Sequence, residues 1–290
     1  MSVRAAKRSR TVRCKGKHGL EITERDTAIL ILLGNVRFAT PNQISRELFS
    51  SLDRCRRRLR QLFDAGYIVI TISSSRHPNL VSLTKAGLDV ASQAAPHVAD
   101  RLRLAGAIRL AGIEHHLLCT DIRLFAVALG ELRHAPLARW ANAGGDLVRE
   151  LDLARFHIQP DAVAQYTINP SGDAIHIAIE ADCATQSVSS VLVGKLRRYA
   201  QAAAQTSLDA LWLVTSGGEQ RRANIDALLN QQGLEQFVRV LSRAHVIARP
   251  VRELPARGGS RAVQGPITTS FLDSDSSCTS RCSNTEGRSR

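Results

Sequence analysis

The feature that most constrains the fold is an arginine-rich segment, residues 52–63, with two interleaved patterns. Its apolar positions are Leu52, Cys55, Leu59, Leu62 and Phe63. Its basic positions are Arg54, Arg56, Arg57, Arg58 and Arg60. Since residues three or four apart share a helix face, the segment predicts a helix with one buried stripe and a basic remainder. Such a helix needs a protein core on one side.

Signals on both sides of this helix define a small domain. Thr23 and Thr40-Pro41 are favoured helix starts, and Ser51 begins the arginine-rich helix. Two β-rich runs, residues 67–70 and 80–83, then flank a polar stretch and predict a hairpin. Three helices followed by a hairpin predict an N-terminal winged helix-turn-helix domain over residues 20–95.

The arginines of the third helix are the first candidate site. In a helix-turn-helix the second helix of the pair enters the major groove, where arginine binds guanine or phosphate. Only Asp53 and Asp64 lie close in sequence, so local acids cannot pair with every arginine of the segment. Arg76 in the predicted wing tip is a further candidate contact. The alternatives are a solvated basic face, or a surface for RNA or a protein partner.

The positive charge is concentrated near this domain. The net charge of the chain is +13, and residues 1–95 contain 17 basic and 7 acidic residues. Residues 96–250 are nearly balanced, with 16 and 15. A local basic field attracts polyanions, so we expect double-stranded DNA as the partner. Residues 1–19 hold seven basic residues and no acid, and predict a disordered basic arm.

The second half of the chain alternates between helices and strands. A linker over residues 96–112 leads to an amphipathic helix at 114–133. Strands are predicted at 156–158, 161–166, 174–181, 211–215 and 238–247, and helices at 187–204 and 219–231. This is a restriction-endonuclease-like α/β (α+β) domain over residues 113–253, with a small mixed sheet. Residues 254–290 are rich in Ser, Gly, Arg and Thr and predict a disordered tail.

Two classes of protein are excluded by what the sequence does not contain. No apolar run reaches about 18 residues, so no membrane partner is expected. The six cysteines form no CxxC pair, which favours reduced thiols over zinc or disulfides. We therefore expect a cytoplasmic protein. Trp140 and Trp212 are predicted core residues.

Acidic residues at predicted strand ends form the second candidate site. Asp161 follows Pro160, and Glu180 and Asp182 lie two apart on one strand, so these two share a face. Together the three predict a Mg²⁺ site, since hard cations prefer oxygen ligands. Lys195 on the next helix is placed to stabilise phosphate charge. The predicted catalytic set is Asp161, Glu180 and Lys195.

The alternative for these acids is that they lie at strand ends in solvent, without a metal. Tyr199 shares the face of Lys195, as a DNA contact or a residue at the core edge.

The acidic pattern resembles the PD-(D/E)xK nuclease superfamily, through Pro160-Asp161 and Glu180-Ala181-Asp182. The family's lysine is expected at position 182, where this chain has Asp182. The resemblance implies that Lys195 acts as a migrated lysine.

The whole order of features is similar to the replication-relaxation family of plasmid and mobile-element proteins. The matching strings are ERDTAILILL, HHLLCTDIRLFAVAL, PDAVAQY, IEADCATQS and GKLRRYAQ. The resemblance implies a bacterial protein, associated with the nucleoid or a plasmid, that acts in plasmid replication or DNA relaxation. Gln186 stands where the family often has an acid.

Two functions remain open. In one, the nuclease-like domain acts on DNA or holds it near the site that the winged helix reads. In the other, the protein is a non-enzymatic transcriptional or replication regulator, whose degenerate nuclease fold forms a homodimer or contacts replication or mobilisation proteins. Asp182 and Gln186 favour the second, and the retained Asp161 and Glu180 favour the first.

Overall fold

The computed structural model describes residues 20–71, 78–106, 112–168, 172–184 and 190–248. The predicted basic arm, the wing tip with Arg76, Gln186 and the C-terminal tail lie outside these ranges. The chain divides into two compact units, Met1–Thr120 and Asp121–Arg290. Helices combine with two β-sheets, so the predicted mixed α/β fold class is confirmed.

The first unit begins with the three predicted helices. Its elements are α1 (Glu24–Val36), β1 (Phe38–Ala39), α2 (Pro41–Leu48), α3 (Leu52–Asp64), β2 (Ile68–Thr71), β3 (Leu80–Leu83), α4 (Lys85–Ala94), a 3-10 helix (Pro96–Arg101) and the start of α5 (Ile113–Leu132). Thr23, Thr40 and Ser51 cap α1, α2 and α3 as predicted. Each cap side chain accepts a hydrogen bond from a backbone N–H of the first turn, where no carbonyl of the helix is available.

A three-stranded antiparallel sheet, ordered β1-β3-β2, completes the first unit within the described residues. Strand β1 is only two residues long and carried no predictive pattern. The core combines the apolar faces of α1, α3 and the sheet, including Ile29, Leu33, Leu59 and Val81. Leu102, in the segment predicted to be a linker, is also buried in this core.

The second unit contains the rest of α5 and a larger sheet. Its further elements are β4 (Leu137–Asn142), α6 (Asp146–Glu150), a 3-10 helix (Leu153–Phe156), β5 (Ala162–Thr167), β6 (Ala174–Asp182), α7 (Ser190–Ala203), β7 (Ala210–Thr215), α8 (Gly218–Gln232), β8 (Val238–Ser242) and α9 (Arg243–Ile247). The described strands form a mixed sheet, ordered β4-β5-β6-β7-β8. Strand β5 is antiparallel to both neighbours, whereas β6, β7 and β8 run parallel.

Helices cover both faces of this sheet. On one face, Val163 and Ala178 pack with Leu196 of α7 and Ile225 of α8. On the other face, the ring of Phe125 on α5 lies 5.8 Å from that of Trp212 on β7. Trp212 is fully buried, as predicted, whereas Trp140 on the edge strand β4 is only partly buried.

Three elements of the second unit differ from the sequence prediction. Residues 156–158 are not a strand, because His157 is in the left-handed conformation and Phe156 ends a 3-10 helix. Strand β4 lies between the predicted helix at 114–133 and the first predicted strand, where the sequence predicted no strand. The last strand is shorter than predicted, because Ser242 ends β8 and caps α9. At residues 156–158 and beyond Ser242, apolar side chains that the pattern assigned to a strand are buried, but the backbone that carries them is not a strand.

No helix in the described ranges combines the length and apolarity needed to cross a bilayer.

Candidate functional site

The third helix has the buried stripe that its sequence predicts. Cys55, Leu59, Leu62 and Phe63 are buried in the core of the first unit. The five arginines around this stripe are not equivalent, since three are exposed and two are partly buried. The exposed arginines are Arg54, Arg56 and Arg57.

Arg58 is held inside the first unit by Asp26 of α1. Its Nε donates to Asp26 Oδ1 at 2.7 Å, and its Nη2 donates to Asp26 Oδ2 and to the Glu21 carbonyl oxygen. Asp26 is completely buried. Burial raises the pKa of Asp26, but hydrogen bonds from Arg58 and Thr23 outweigh it and hold the pKa below its ordinary value. Arg58 therefore ties α3 to α1.

Arg60 is also engaged within the protein. Its Nη2 lies 3.0 Å from Asp64 Oδ1 one turn later, and its guanidinium lies 5.2 Å from the centre of the Phe63 ring. By contrast, Arg56 lies 3.9 Å from Asp53 with both side chains largely exposed, at 60% and 86%. A pair so exposed restrains the arginine little. The solvent-facing charge of α3 is therefore carried by Arg54, Arg56 and Arg57.

The predicted acidic residues meet at one end of the larger sheet. Glu180 and Asp182 lie on β6, two residues apart and on the same face. Asp161 directly precedes Ala162, whose β6 partner is Ile179. An oxygen of Asp161 accepts the backbone N–H of Ala181 at 2.8 Å. The strands thus bring the three carboxylates to neighbouring positions.

Glu180 is buried, and both of its oxygens have partners from α7. Lys195 Nζ lies 2.6 Å from Oε2, and the Tyr199 hydroxyl donates to Oε1. Burial raises the pKa of Glu180, and the nearby Asp161 carboxylate adds to the shift, while Lys195 opposes it. Tyr199 is fully buried, and burial together with Glu180 raises its pKa well above the ordinary value. Tyr199 is therefore a core residue that positions Glu180.

Asp182 is bound by groups from two later elements. Arg221 of α8 donates from Nε to Oδ2 at 2.6 Å and from Nη2 to Oδ1 at 2.8 Å. Thr215 donates to Oδ2 at 2.7 Å, and the N–H of Ala184 donates to Oδ1 at 3.1 Å. Burial raises the pKa of Asp182, but the hydrogen bonds from Arg221 and Thr215 prevail and lower it.

This arrangement does not fit a resident Mg²⁺. The oxygens of Glu180 and Asp182 accept hydrogen bonds from Lys195, Tyr199 and Arg221, so they are not directed at a shared point. Among the described residues, no group of three or more His, Cys, Asp or Glu side chains could hold a metal ion. The carboxylates and cations instead form two adjacent ion pairs, Glu180–Lys195 and Asp182–Arg221.

Arg221 and Thr215 were not predicted as part of this site. Arg221 is 39 residues from Asp182, so no local spacing connects them. The one sequence signal for such a partner was Asp182 itself, which stands where the nuclease pattern has a lysine. An acid that is partly buried there requires a cation from elsewhere in the chain.

Comparison with known protein families decides the classification. A family model described as replication-relaxation matches residues 30–210, which is more than half of the chain. The chain belongs to the replication-relaxation family. In this replication-relaxation protein the matched segment includes Asp161, Glu180 and Lys195, but ends before Arg221. No curated protein and no solved structure matches it.

Proposed function

We propose that this replication-relaxation protein binds double-stranded DNA and acts in plasmid or mobile-element replication or DNA relaxation. Family membership suggests the biological role. In this proposal the first unit reads the DNA and the second holds it without cutting it.

The order of elements in the first unit supports a winged helix. Helices α1, α2 and α3 are followed by β2 and β3, and β1 adds a third strand beside β3. In helix-turn-helix proteins, the second helix of the pair enters the major groove. In this proposal that helix is α3, and β2 and β3 are the strands that lead into and out of the wing.

The exposed arginines of α3 are the observation that carries the proposal. Arg58 and Arg60 satisfy acids of the protein, whereas Arg54, Arg56 and Arg57 remain exposed on the same helix. Exposed guanidinium groups on a positioned helix are suited to phosphate and guanine contacts. The proposed DNA contacts on this helix therefore number three, instead of the five arginines predicted from the sequence.

The Glu180–Lys195 and Asp182–Arg221 ion pairs favour a second unit that holds DNA over one that cuts it. A PD-(D/E)xK-type site requires carboxylates that are free to bind a metal, and here they are satisfied by cations of the protein. The second unit then serves as a degenerate restriction-endonuclease-like scaffold.

A metal-dependent nickase is the second candidate function. Asp161 directly precedes β5, Glu180 lies on the adjacent strand β6, and Lys195 lies 2.6 Å from Glu180. These are the residue types expected from the superfamily. This function requires Lys195 to leave Glu180 when DNA and Mg²⁺ bind.

A salt titration tests the DNA-binding proposal. Replacing Arg54, Arg56 and Arg57 together by Ala is expected to weaken duplex binding. It should also reduce the slope of log K against log salt by about 0.9 for each phosphate that the variant no longer neutralises. The matched control replaces the exposed residues Lys85, Arg101 and Arg103 of the same unit by Ala, with the same change in net charge. Equal affinity and slope for both variants would refute α3 as the reading element.

A nicking assay separates the two roles of the second unit. Supercoiled plasmid is incubated with Mg²⁺ or Mn²⁺ and either the wild-type protein or the Asp161→Ala/Glu180→Ala variant. The holding role predicts DNA binding without nicking by both proteins. Nicking by the wild type that is absent in the variant would establish the nickase instead.

A further inference from the structure

Strand β8 is an edge of the larger sheet. Among the described strands it pairs with β7 on one side and with none on the other. The opposite edge strand, β4, has a register shift between Leu137 and Arg139, an irregularity of the kind that discourages pairing with a further strand. By contrast, all five residues of β8 pair with β7 in an unbroken register. The β8 edge is therefore the one better suited to extend the sheet.

At the centre of β8, the backbone groups that face the open edge belong to Val240. The N–H of Leu211 on β7 donates to the Phe237 carbonyl oxygen at 3.0 Å. Backbone groups alternate in direction along a strand, so Arg239 and Leu241 also direct theirs toward β7. The N–H and C=O of Val240, between these two residues, point away from β7. A further strand beside β8 would bond to this donor and this acceptor.

A groove lies along this edge, between β8 and α8. Its volume is about 710 Å³, and its lining combines every residue of β8 with one face of α8. The buried residues of the lining are mostly apolar and include Leu229, Val238 and Val240. Because Val238 and Val240 lie on the same face of the sheet, a strand added at the edge would place alternate side chains beside them and against α8.

The charges around the groove largely compensate one another. Arg222 lies 2.6 Å from Glu219 and 2.7 Å from Asp226, so these three lining charges form one network. The other carboxylate and guanidinium of the lining, Glu235 and Arg239, have opposite signs. A charged segment would gain little from such a surface. The groove is therefore suited to an uncharged strand with an apolar face.

One stretch of the C-terminal tail has this character. Residues 262–272 are its longest uncharged run. Within this run, residues 267–272 have the sequence ITTSFL, which combines β-branched and aromatic side chains of the kind that strands favour. Ile267, Thr269 and Phe271 lie two apart, so in a strand they share one face. The segment therefore offers an uncharged strand with two large apolar side chains on one face.

The path of the chain brings this segment within reach of the groove. Helix α9 follows β8 directly, and its residues Ala244 and His245 line the groove. The described chain ends at Ala248, and residues 249–266 separate it from Ile267. A coil of that length spans about 23 Å on average, whereas five residues of strand span only about 17 Å. The segment can thus reach the whole β8 edge, at an effective concentration of about millimolar.

We propose that residues 267–272 of the same chain bind this groove as a further strand of the sheet. Their backbone pairs with Val240, and Ile267 and Phe271 pack against the apolar residues of the groove, as when a peptide extends an exposed sheet edge. The bound segment covers the edge, so β8 does not pair with the sheet of another molecule. This contact does not depend on the proposed DNA binding.

Amide hydrogen exchange of the full chain, followed by mass spectrometry, tests the proposal from both sides of the contact. The fragments that contain Val240 and residues 267–272 are expected to exchange slowly in the wild type. Thr269→Pro removes a backbone donor and disfavours the strand, so it is expected to speed exchange in both fragments by about tenfold or more. Ser280→Pro is the matched control, because it introduces proline into the tail outside the uncharged run, and it should change neither fragment.

A side-chain variant distinguishes docking of the segment from a local effect of proline. Phe271→Ser keeps every N–H of the segment but removes its largest apolar side chain, and it should also speed exchange at Val240. A synthetic peptide of residues 262–274, added to the Thr269→Pro protein, should restore slow exchange at Val240 in a saturable way. The same peptide carrying Thr269→Pro should not.

The remaining outcomes identify what covers the β8 edge. Rapid exchange at Val240 in the wild type, or exchange there that Thr269→Pro leaves unchanged, would refute the segment as the occupant. Slow exchange that is independent of protein concentration supports binding within the same chain. Protection of Val240 that appears only as the protein concentration rises, together with a dimer in sedimentation, would overturn the proposal, because the groove would then be covered by a second copy.

Discussion

At the scale of single residues, Asp26 makes two interactions that are usually made by different side chains. It completes the capping box of α1 by accepting the N–H of Thr23 at 2.8 Å, and it accepts two hydrogen bonds from Arg58 of α3. Its carboxylate is completely buried, so both interactions take place away from solvent. The position of α3 in the first unit therefore depends on one carboxylate in α1.

Replacing Asp26 by Asn is expected to destabilise the protein by about 3 kcal/mol, because Arg58 is left partly buried without its counterion. The lowered pKa of Asp26 means that its contribution is present above the ordinary value of 3.8 and is lost as the pH falls through the folded-state pKa. Urea unfolding at several pH values measures both effects. Asp53→Asn, at an exposed pair on α3, is the control and should change neither the stability nor its pH dependence. Equal losses of stability in the two variants would contradict the role of Asp26 as the counterion of Arg58.

Glu180 and Asp182 should make opposite contributions to the pH dependence of stability. The pKa of Glu180 is raised, so its contribution is present in acid and is lost as the pH rises from 4.5 through the folded-state pKa. The pKa of Asp182 is lowered, so its contribution is present above 3.8 and is lost as the pH falls. Thermal unfolding is measured from acid to neutral pH. Glu180→Gln should lose less stability than the wild type as the pH rises to neutral. Asp182→Asn should lose less stability than the wild type as the pH falls into the acid range. Slopes that change in the same direction would contradict the conclusion that burial outweighs the Lys195 ion pair at Glu180.

Prediction from sequence was reliable at this scale only where partners are close in the chain. The capping roles of Thr23, Thr40 and Ser51 follow from spacings of three residues. The partners of Arg58 and Asp182 lie 32 and 39 residues away. Such pairs are created by tertiary packing, which no local pattern encodes.

At the scale of elements, long periodic segments were predicted well and short ones poorly. Helices α1, α3 and α5 carry several turns of apolar periodicity, which suffices to recognise them. Strand β1 has two residues, and the 3-10 helix at Leu153–Phe156 has four. Segments so short contain too few repeats to show a period, and their conformation is decided by neighbouring elements.

The start of α4 gives a test of element packing. A Cβ on Gly87 would lie 2.1 Å from the carbonyl oxygen of Tyr67, which is backbone just before β2. Gly87→Ala is therefore expected to destabilise the protein by about 1–3 kcal/mol, the usual cost of overpacking. Gly106→Ala is the control, because nothing lies within 4 Å of its Cβ position. Chemical denaturation compares the two, and a neutral Gly87→Ala would show that α4 can shift away from β2.

At the scale of the whole molecule, the excess positive charge and the acidic candidate site lie in different units. The excess of positive charge lies in residues 1–95, which include α3, while the Glu180–Lys195 and Asp182–Arg221 ion pairs lie beyond residue 121. Composition alone predicted this division, because net charge can be summed without knowing the fold. It could not predict that the acids would be neutralised by Lys195 and Arg221, since that requires the order of strands in the sheet.

The pairing of Asp182 with Arg221 bears on how much of the chain the second unit needs in order to fold. The segment that the family model matches ends at residue 210, where β7 begins. A protein cut there would lack β7, β8 and α8, so β6 would become an unprotected edge and Asp182 would be without both Arg221 and Thr215. The C-terminal strands and α8 complete the sheet and supply the partners of Asp182, so the second unit depends on residues beyond the matched segment.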